Sequence, residues 1–138
     1  MAIESWLIDK SAYVRLGSSP AFQMWLERID RGLVRISIVT ALEIGYSFTS
    51  PESARRERSS GLLGALISDY VTPAIENRAK EVQLALLDRG QHRAVSIPDL
   101  MIAATAEVLG RTVLHVDKDF ELISEFTGQP VERLEVEA

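Results

Sequence analysis

Hydrophobic residues in this chain follow two patterns, short runs and longer segments with helical spacing. The runs Trp6–Ile8, Leu33–Ile36 and Thr112–Val116 are rich in apolar and β-branched residues, which is typical of buried strands. Helical spacing is clearest over Pro20–Arg31 and Ala74–Leu87. Short strands that alternate with helices predict an α/β fold with a mainly parallel sheet covered on both faces.

Weaker patterns complete the predicted order of elements. Further helices are expected over Ser11–Leu16, Ser37–Phe48, Pro51–Ile67, Asp99–Leu109 and Phe120–Phe126, and further strands over Tyr70–Thr72 and Val131–Val136. The sequence contains no internal repeat, linker or low-complexity tract. We therefore expect one domain over residues 1–138.

Composition and charge exclude several classes of protein. The chain has 15 basic and 20 acidic residues, so its net charge of −5 does not by itself favour nucleic-acid binding. A nuclease would need locally placed cations or metal ions. The absence of cysteine excludes disulfides, zinc–thiolate sites and thiol catalysis. Neither a membrane-spanning run nor a signal peptide is visible, and we expect a cytoplasmic protein with no membrane partner.

Four carboxylates stand in unusually apolar surroundings. Glu43 is the only charged residue from 36 to 50, Asp99 is the only one from 94 to 106, and Asp9 and Asp117 each end a predicted strand. A desolvated carboxylate costs several kcal/mol unless it is protonated, paired or bound to a cation. Because parallel strands bring their carboxyl ends to one edge of the sheet, these acids could converge there.

Each of these acids also has a purely structural interpretation. Asp9 and Asp117 could cap the helices that follow them, and Asp99 stands at a capping-box position. Asp119 could complement a helix dipole, and Glu43 could face a small solvent gap in mid-helix. The sequence leaves both interpretations open for each residue.

As a converging set, the carboxylates would repel one another and would require a bound cation. Oxygen ligands alone favour one or two Mg²⁺ or Mn²⁺ ions, and such acidic sites commonly serve phosphodiester chemistry. Histidine could contribute in principle. However, His92 lies in a basic loop and His115 inside a strand, so a packed or exposed histidine is the simpler interpretation of each.

Four motifs in the same order resemble those of PIN-domain ribonucleases. They are Ile8–Ala12, with an apolar strand and Asp-x-Ser; Thr40–Gly45, with the second acid; Pro98–Ala106, an Asp before an Ala-rich helix; and Val113–Phe120, a strand before Asp-x-Asp-Phe. Each motif alone is weak, but four in register cover nearly the whole chain. Two departures stand beside the acids: Lys10 replaces the Thr of many members, and His115 replaces Thr or Ser.

The resemblance implies a three-layer α/β/α PIN-like fold and a metal-dependent endoribonuclease, similar to the VapC-type toxins of bacterial toxin–antitoxin pairs. It implies a small VapB-like antitoxin, an RNA substrate and a homodimer. The catalytic acids that it implies are Asp9, Glu43, Asp99 and Asp117. The implied ligands of Mg²⁺ or Mn²⁺ are Asp9, Asp99, Asp117 and Asp119. Ser11 would support the site through hydrogen bonds.

Two surfaces are candidates for contact with partners. Lys10 and the basic group Arg89, His92 and Arg93, which leads towards Asp99, are candidates for RNA binding. A second cluster at residues 55–58 could also contact phosphates or could form helical ion pairs on a solvated face. The helices predicted over residues 37–67 carry more apolar surface than a small sheet needs, so part of it could form a dimer or antitoxin interface instead of core.

Two other functions remain possible at this point. The first is a catalytically silent PIN-like module that only binds RNA or protein, although such a module has no reason to keep mutually repelling acids. The second is a phosphatase with an Asp nucleophile, which would need another Asp two residues after the first. That position is Ser11.

Overall fold

The structure, a computed structural model, describes residues 3–137 and contains a five-stranded sheet. The strands are β1 (Trp6–Ile8), β2 (Val34–Ser37), β3 (Ile67–Asp69), β4 (Thr112–His115) and β5 (Val131–Arg133). The helices are α1 (Lys10–Tyr13), α2 (Phe22–Asp30), α3 (Ile38–Tyr46), α4 (Pro51–Ser59), α5 (Leu62–Ala65), α6 (Pro73–Asp88), α7 (Ile97–Leu109) and α8 (Asp119–Thr127), with a 3₁₀ turn over Leu16–Ser18.

The strands pair in the order β3-β2-β1-β4-β5, and every pairing is parallel. All three residues of the central strand β1 are buried. Because side chains alternate along a strand, Leu7 faces one layer of helices whereas Trp6 and Ile8 face the other. The predicted parallel sheet with helices on both faces is confirmed.

Each face of the sheet has its own hydrophobic core. On one face Leu7 and Val113 pack with α6, α7 and α8. On the other face Trp6, Ile8 and Leu114 pack with α1, α2, α3 and α5. The sheet is therefore the middle of three layers, and its carboxyl-end loops lie between the two helical layers.

The chain order creates a crevice at the centre of the sheet. From β1 the chain runs outward through β2 and β3, and it then crosses back to β4 on the other side of β1. The loops that follow β1 and β4 consequently diverge, which is where open α/β sheets bind ligands. Asp9 directly follows β1, and Asp117 follows β4.

The single helix predicted over Pro51–Ile67 is wrong. The helix α4 ends at Ser59, and α5 begins at Leu62 after a turn. The Glu57 carboxylate accepts hydrogen bonds from the Leu63 N–H at 3.1 Å and from the Tyr13 hydroxyl at 2.5 Å, which satisfies a free N–H of α5 and ties the turn to α1.

The strand predicted over Tyr70–Thr72 is also wrong. The third strand is Ile67–Asp69, which pairs with β2, whereas Tyr70 is 78% exposed. Thr72 instead caps α6, since its hydroxyl accepts a hydrogen bond from the Ile75 N–H at 3.3 Å. Tyr70–Thr72 have the higher local preference for strand, but pairing with β2 determines that Ile67–Asp69 form it.

The other predicted elements are present, with shifted bounds. The last strand stops at Arg133 instead of Val136, and the short helix after Asp9 is four residues long. Gly110 ends α7 as expected, with a φ of +72° that a side chain would strain. No helix in residues 3–137 is long and apolar enough to cross a membrane.

Much of the surplus apolar surface predicted over residues 37–67 belongs to the core. Ile44, Leu63 and Leu66 are buried against the sheet, and Phe48 and Leu62 pack beside them. For these residues the core interpretation is confirmed. The large apolar side chains of this region that remain exposed are Ile38, Leu42 and Tyr46 on α3 and Ile67 on β3.

Candidate metal centre

Asp9 is a buried carboxylate, 4% exposed, at the carboxyl end of the central strand. It caps α1, because its Oδ1 accepts a hydrogen bond from the Ala12 N–H at 3.0 Å, and the Ser11 hydroxyl also donates to it at 2.8 Å. Burial raises the pKa of Asp9, the bonds from Ala12 and Ser11 lower it, and the nearby Asp117 raises it further. Asp9 is thus both a helix cap and a member of an acidic group.

Ser11 connects the two strands that flank the crevice. Its hydroxyl donates to Asp9 and accepts a hydrogen bond from the Val116 N–H at 2.9 Å. The loop after β4 is therefore fixed to the helix after β1, and Asp117, the next residue of that loop, is brought towards Asp9.

Asp99 lies in the first turn of α7, whose N-cap Ser96 accepts a hydrogen bond from the Asp99 N–H at 3.2 Å. The Asp99 side chain lines the crevice together with Asp9 and Asp117. Burial, together with the nearby carboxylates of Asp117 and Asp9, raises the pKa of Asp99 to about 7, although a hydrogen bond with Ser96 lowers it. Such a group holds its proton near neutral pH until a cation compensates its charge.

Asp117 and Asp119 complete the acidic group. The Asp119 N–H donates to Asp117 Oδ1 at 3.1 Å, which orients the start of α8. One carboxylate oxygen from each of Asp99, Asp117 and Asp119 lies within 4.8 Å of the others. Three oxygens at this spacing suit a hard divalent cation, and none of the three acids forms an ion pair in residues 3–137.

Glu43 reaches the same place from the opposite helical layer. It lies on α3 and lines, together with Asp9, Asp99 and Asp117, an open cavity of about 270 Å³, hereafter the acidic cavity. The four acids come from the loops after β1 and β4 and from α3 and α7. Acids that are far apart in the sequence therefore share one cavity and form no ion pair within residues 3–137, and this arrangement fits a bound metal ion.

Two cationic side chains stand at the rim of the acidic cavity. The Lys10 ammonium donates to the Ser47 hydroxyl at 2.9 Å, and one guanidinium nitrogen of Arg15 donates to the Ser11 carbonyl oxygen at 3.0 Å. Lys10 is among the residues that the sequence indicates. The sequence does not indicate Arg15, because its contact with Ser11 arises only when the chain turns through α1.

The basic group before α7 lies outside the acidic cavity. The Arg89 guanidinium stacks on the Phe126 ring at 4.5 Å, and Arg93 is exposed. His92 Nδ1 is buried without a hydrogen-bond partner in the described part of the chain. None of the three lines the cavity. His115 is fully buried against Phe120 and burial lowers its pKa, so it is a packed histidine.

Comparison with known proteins identifies the family. The PIN domain family matches residues 7–125. The chain is 58% identical to Ribonuclease VapC2 of Mycobacterium tuberculosis over 134 residues, which cover 97% of this chain and 95% of that protein. It is 45% identical to Ribonuclease VapC21 of the same species over 130 residues, covering 92% and 91% of the two chains.

Solved structures agree on the fold. VapBC2 from Rickettsia felis, bound to a DNA fragment from its promoter, superposes with a TM-score of 0.78 at 16% identity over 94% of this chain and 98% of that chain. DNA-bound VapBC from Salmonella typhimurium gives 0.76 at 19% identity over 95% and 98%. The resemblance inferred from the four motifs is confirmed: the chain belongs to the PIN domain family and, within it, to the VapC ribonucleases.

Proposed function

We propose that this protein is a metal-dependent endoribonuclease and the toxin of a toxin–antitoxin pair. The observation that carries the proposal is the acidic cavity, in which four carboxylates share one space and form no ion pair in residues 3–137. The family match covers residues 7–125, and we propose that the nuclease domain spans residues 1–138.

Asp9, Asp99, Asp117 and Asp119 would hold one or two Mg²⁺ or Mn²⁺ ions, because oxygen ligands favour these ions. When bound, such an ion supplies an activated water and stabilises negative charge on the phosphate that is cleaved. Glu43, on the facing helix α3, would serve as a fourth catalytic acid in the same cavity.

The remaining roles follow from the contacts of the chain itself. Ser11 orients Asp9 and holds the loop that carries Asp117. With its pKa raised to about 7, the Asp99 carboxyl can hold a proton or release it when a cation arrives. Lys10 lies at the rim, where its ammonium would meet an RNA phosphate. Arg89, His92 and Arg93 stay candidates for RNA contact outside the cavity.

An exposed apolar surface supports a protein partner. Ile38, Leu42 and Tyr46 follow each other at one-turn spacing on α3 and are 49%, 59% and 93% exposed. This surface borders the acidic cavity through Glu43. We propose that it contacts a VapB-like antitoxin or a second copy of the chain in a homodimer. With an RNA substrate and an antitoxin partner, the protein would act in the cytoplasm.

The nuclease activity is tested with purified protein and end-labelled single-stranded RNA. Cleavage is expected with Mn²⁺ or Mg²⁺, and EDTA should stop it because the ions supply the charge stabilisation. Titration calorimetry with Mn²⁺ alone is the second readout. Absence of both cleavage and Mn²⁺ binding would favour a silent PIN-like module.

The toxin role is tested by expression in bacterial cells. The chain alone should arrest growth, whereas Asp99→Asn should not, and co-expression of the small protein encoded beside the gene should relieve the arrest. Sequencing of RNA ends during the arrest identifies the cleavage sites. Normal growth with a folded, RNA-cleaving protein would overturn the toxin role and leave the nuclease role intact.

A further inference from the structure

A second cleft adjoins the acidic cavity and has the opposite charge. It has a volume of about 370 Å³ and is lined by Ser11, Arg15, Val116, Asp117, Lys118 and Arg133, and we call it the cationic cleft. Ser11, Arg15 and Asp117 also line the acidic cavity, so the two spaces share a wall. The parallel pairing of β5 with β4 places Arg133 beside His115, two residues before Asp117.

The three cations of this cleft keep charge available for a ligand. One guanidinium nitrogen of Arg15 donates to the Ser11 carbonyl, a neutral partner. Arg133 Nε donates to Glu121 at 3.2 Å, but both side chains are about half exposed and such pairs are weak in water. Lys118 is exposed and forms no ion pair in residues 3–137. Among the residues that line the cleft, Asp117 on the shared wall is the one acid.

We infer that the cationic cleft binds a phosphate of the RNA strand next to the phosphate that lies at the acidic cavity. This inference rests on the proposed ribonuclease function. A nucleic-acid strand carries a charge at every nucleotide, so a bound strand needs a cationic site beside the cleavage site. Arg15 and Arg133 offer forked guanidinium donors, which suit phosphate oxygens, and Lys118 adds a compact charge.

The charge pattern of the whole chain strengthens this assignment. The net charge is −5, so a general basic surface cannot hold RNA, and local cations must do so. The basic group Arg89, His92 and Arg93 lines neither the acidic cavity nor the cationic cleft. In the cationic cleft, Arg15, Lys118 and Arg133 share a wall with the proposed metal ligand Asp117, and Arg15 contributes to both spaces.

The test measures RNA binding without cleavage. A fluorescein-labelled single-stranded 12-nucleotide RNA (length about that of one binding site) is titrated in EDTA, with fluorescence anisotropy as readout and a gel to verify intact RNA. The variant is Lys118→Gln/Arg133→Gln, whose side chains lie outside the acidic cavity. The matched control is Arg31→Gln/Lys80→Gln, which removes the same charge from two exposed positions, one directly after α2 and one on α6.

The cleft variant should bind roughly tenfold more weakly or worse, since a hydrogen bond to a charged group is lost. Its slope of log affinity against log salt should be shallower by about 0.7, the value for one phosphate contact of a single strand. The control variant should bind as the wild type does. Lys118→Gln alone, which breaks no side-chain hydrogen bond or ion pair within residues 3–137, should show part of the loss without any change in melting temperature.

Two results would overturn the inference: equal affinities and slopes for the cleft and control variants, or no binding by the wild-type chain at low salt. The proposed function is judged separately by cleavage with Mn²⁺. A binding loss in a chain that never cleaves RNA would support the cleft and contradict the nuclease. Normal cleavage together with unchanged RNA binding by the cleft variant would support the nuclease and contradict the cleft.

Discussion

Asp69 is the last residue of β3 and Asp9 directly follows β1, but the two carboxylates have different partners. Each is a buried carboxylate at the carboxyl end of a strand, 7% and 4% exposed. Arg111 binds Asp69 with two nitrogens, at 2.5 Å and 3.0 Å. Asp9 has only a hydroxyl and a backbone N–H, with Asp117 nearby. Burial at a strand end therefore does not distinguish the two acids, and we propose that the lack of a cationic partner marks the acid of the proposed metal site.

The largest contrast between the two kinds of acid is expected in RNA cleavage. Asp9→Asn and Asp99→Asn should each lower the rate of Mn²⁺-dependent cleavage by about 100-fold or more, because each removes charge from the proposed metal site. Asp69→Asn should keep near-normal activity per folded molecule. The measurement is single-turnover cleavage of labelled RNA, with the folded fraction taken from circular dichroism. A similar loss of cleavage rate in all three variants would show that the paired acid Asp69 and the two cavity acids do not differ in function.

Without metal, the variant of the paired acid should lose more stability than the variant of the proposed metal ligand. Asp69→Asn should lower the free energy of unfolding by about 3 kcal/mol, because it leaves the largely buried Arg111 guanidinium without its carboxylate. Asp99→Asn should not lower it, since it removes a charge that other acids repel. Urea denaturation in EDTA provides both values.

A double variant controls for the loss of the ion pair. Asp69→Asn/Arg111→Met removes both charges and should recover part of the stability lost in Asp69→Asn. Equal losses for Asp69→Asn and Asp99→Asn would mean that partner charge does not distinguish the two acids.

The smallest expected effect is a difference in pH dependence. Burial and neighbouring acids raise the pKa of folded Asp99 to about 7 from the ordinary 3.8, so the folded state binds a proton more tightly than the unfolded state. The stabilisation is present below about pH 4 and is lost as the pH rises through about 7. In EDTA the wild type should therefore lose more stability between pH 5 and pH 8 than Asp99→Asn.

Urea denaturation at the two pH values measures this difference, with Asp30→Asn as control for loss of an exposed carboxylate at the end of α2. Adding Mn²⁺ should reverse the order of the two proteins at pH 8, because the cation favours the ionised acids. Parallel pH profiles for wild type and Asp99→Asn would show that Asp99 lies outside the repelling group.

The sequence predicted the acids of the cavity because their signals are local. Asp9 and Asp117 directly follow apolar strands, and Glu43 and Asp99 are single charges in apolar segments. It could not predict which buried acid is paired, since Asp69 and Arg111 are 42 residues apart and meet only in the folded chain. The cationic cleft was missed for the same reason: Lys118 and Arg133 approach because β5 pairs with β4.

The errors in the fold have different causes. The turn between α4 and α5 has a local signal, Ser59-Ser60-Gly61, which interrupts the periodicity that predicted one long helix. The third strand had no such signal. Ile67–Asp69 is a strand only because it continues the sheet beside β2, and Tyr70–Thr72 have the higher local preference for strand.

The order of the strands also determines when a newly made chain can become active. Asp9 is made early, but its neighbours Asp99, Asp117 and Asp119 belong to segments made later, and β4 is the strand that completes the centre of the sheet. At about 5–20 residues per second, roughly 5–20 seconds of translation separate Asp9 from Asp119. A chain still on the ribosome therefore has an incomplete site, and we expect that this delay leaves a VapB-like antitoxin time to bind before the toxin becomes active.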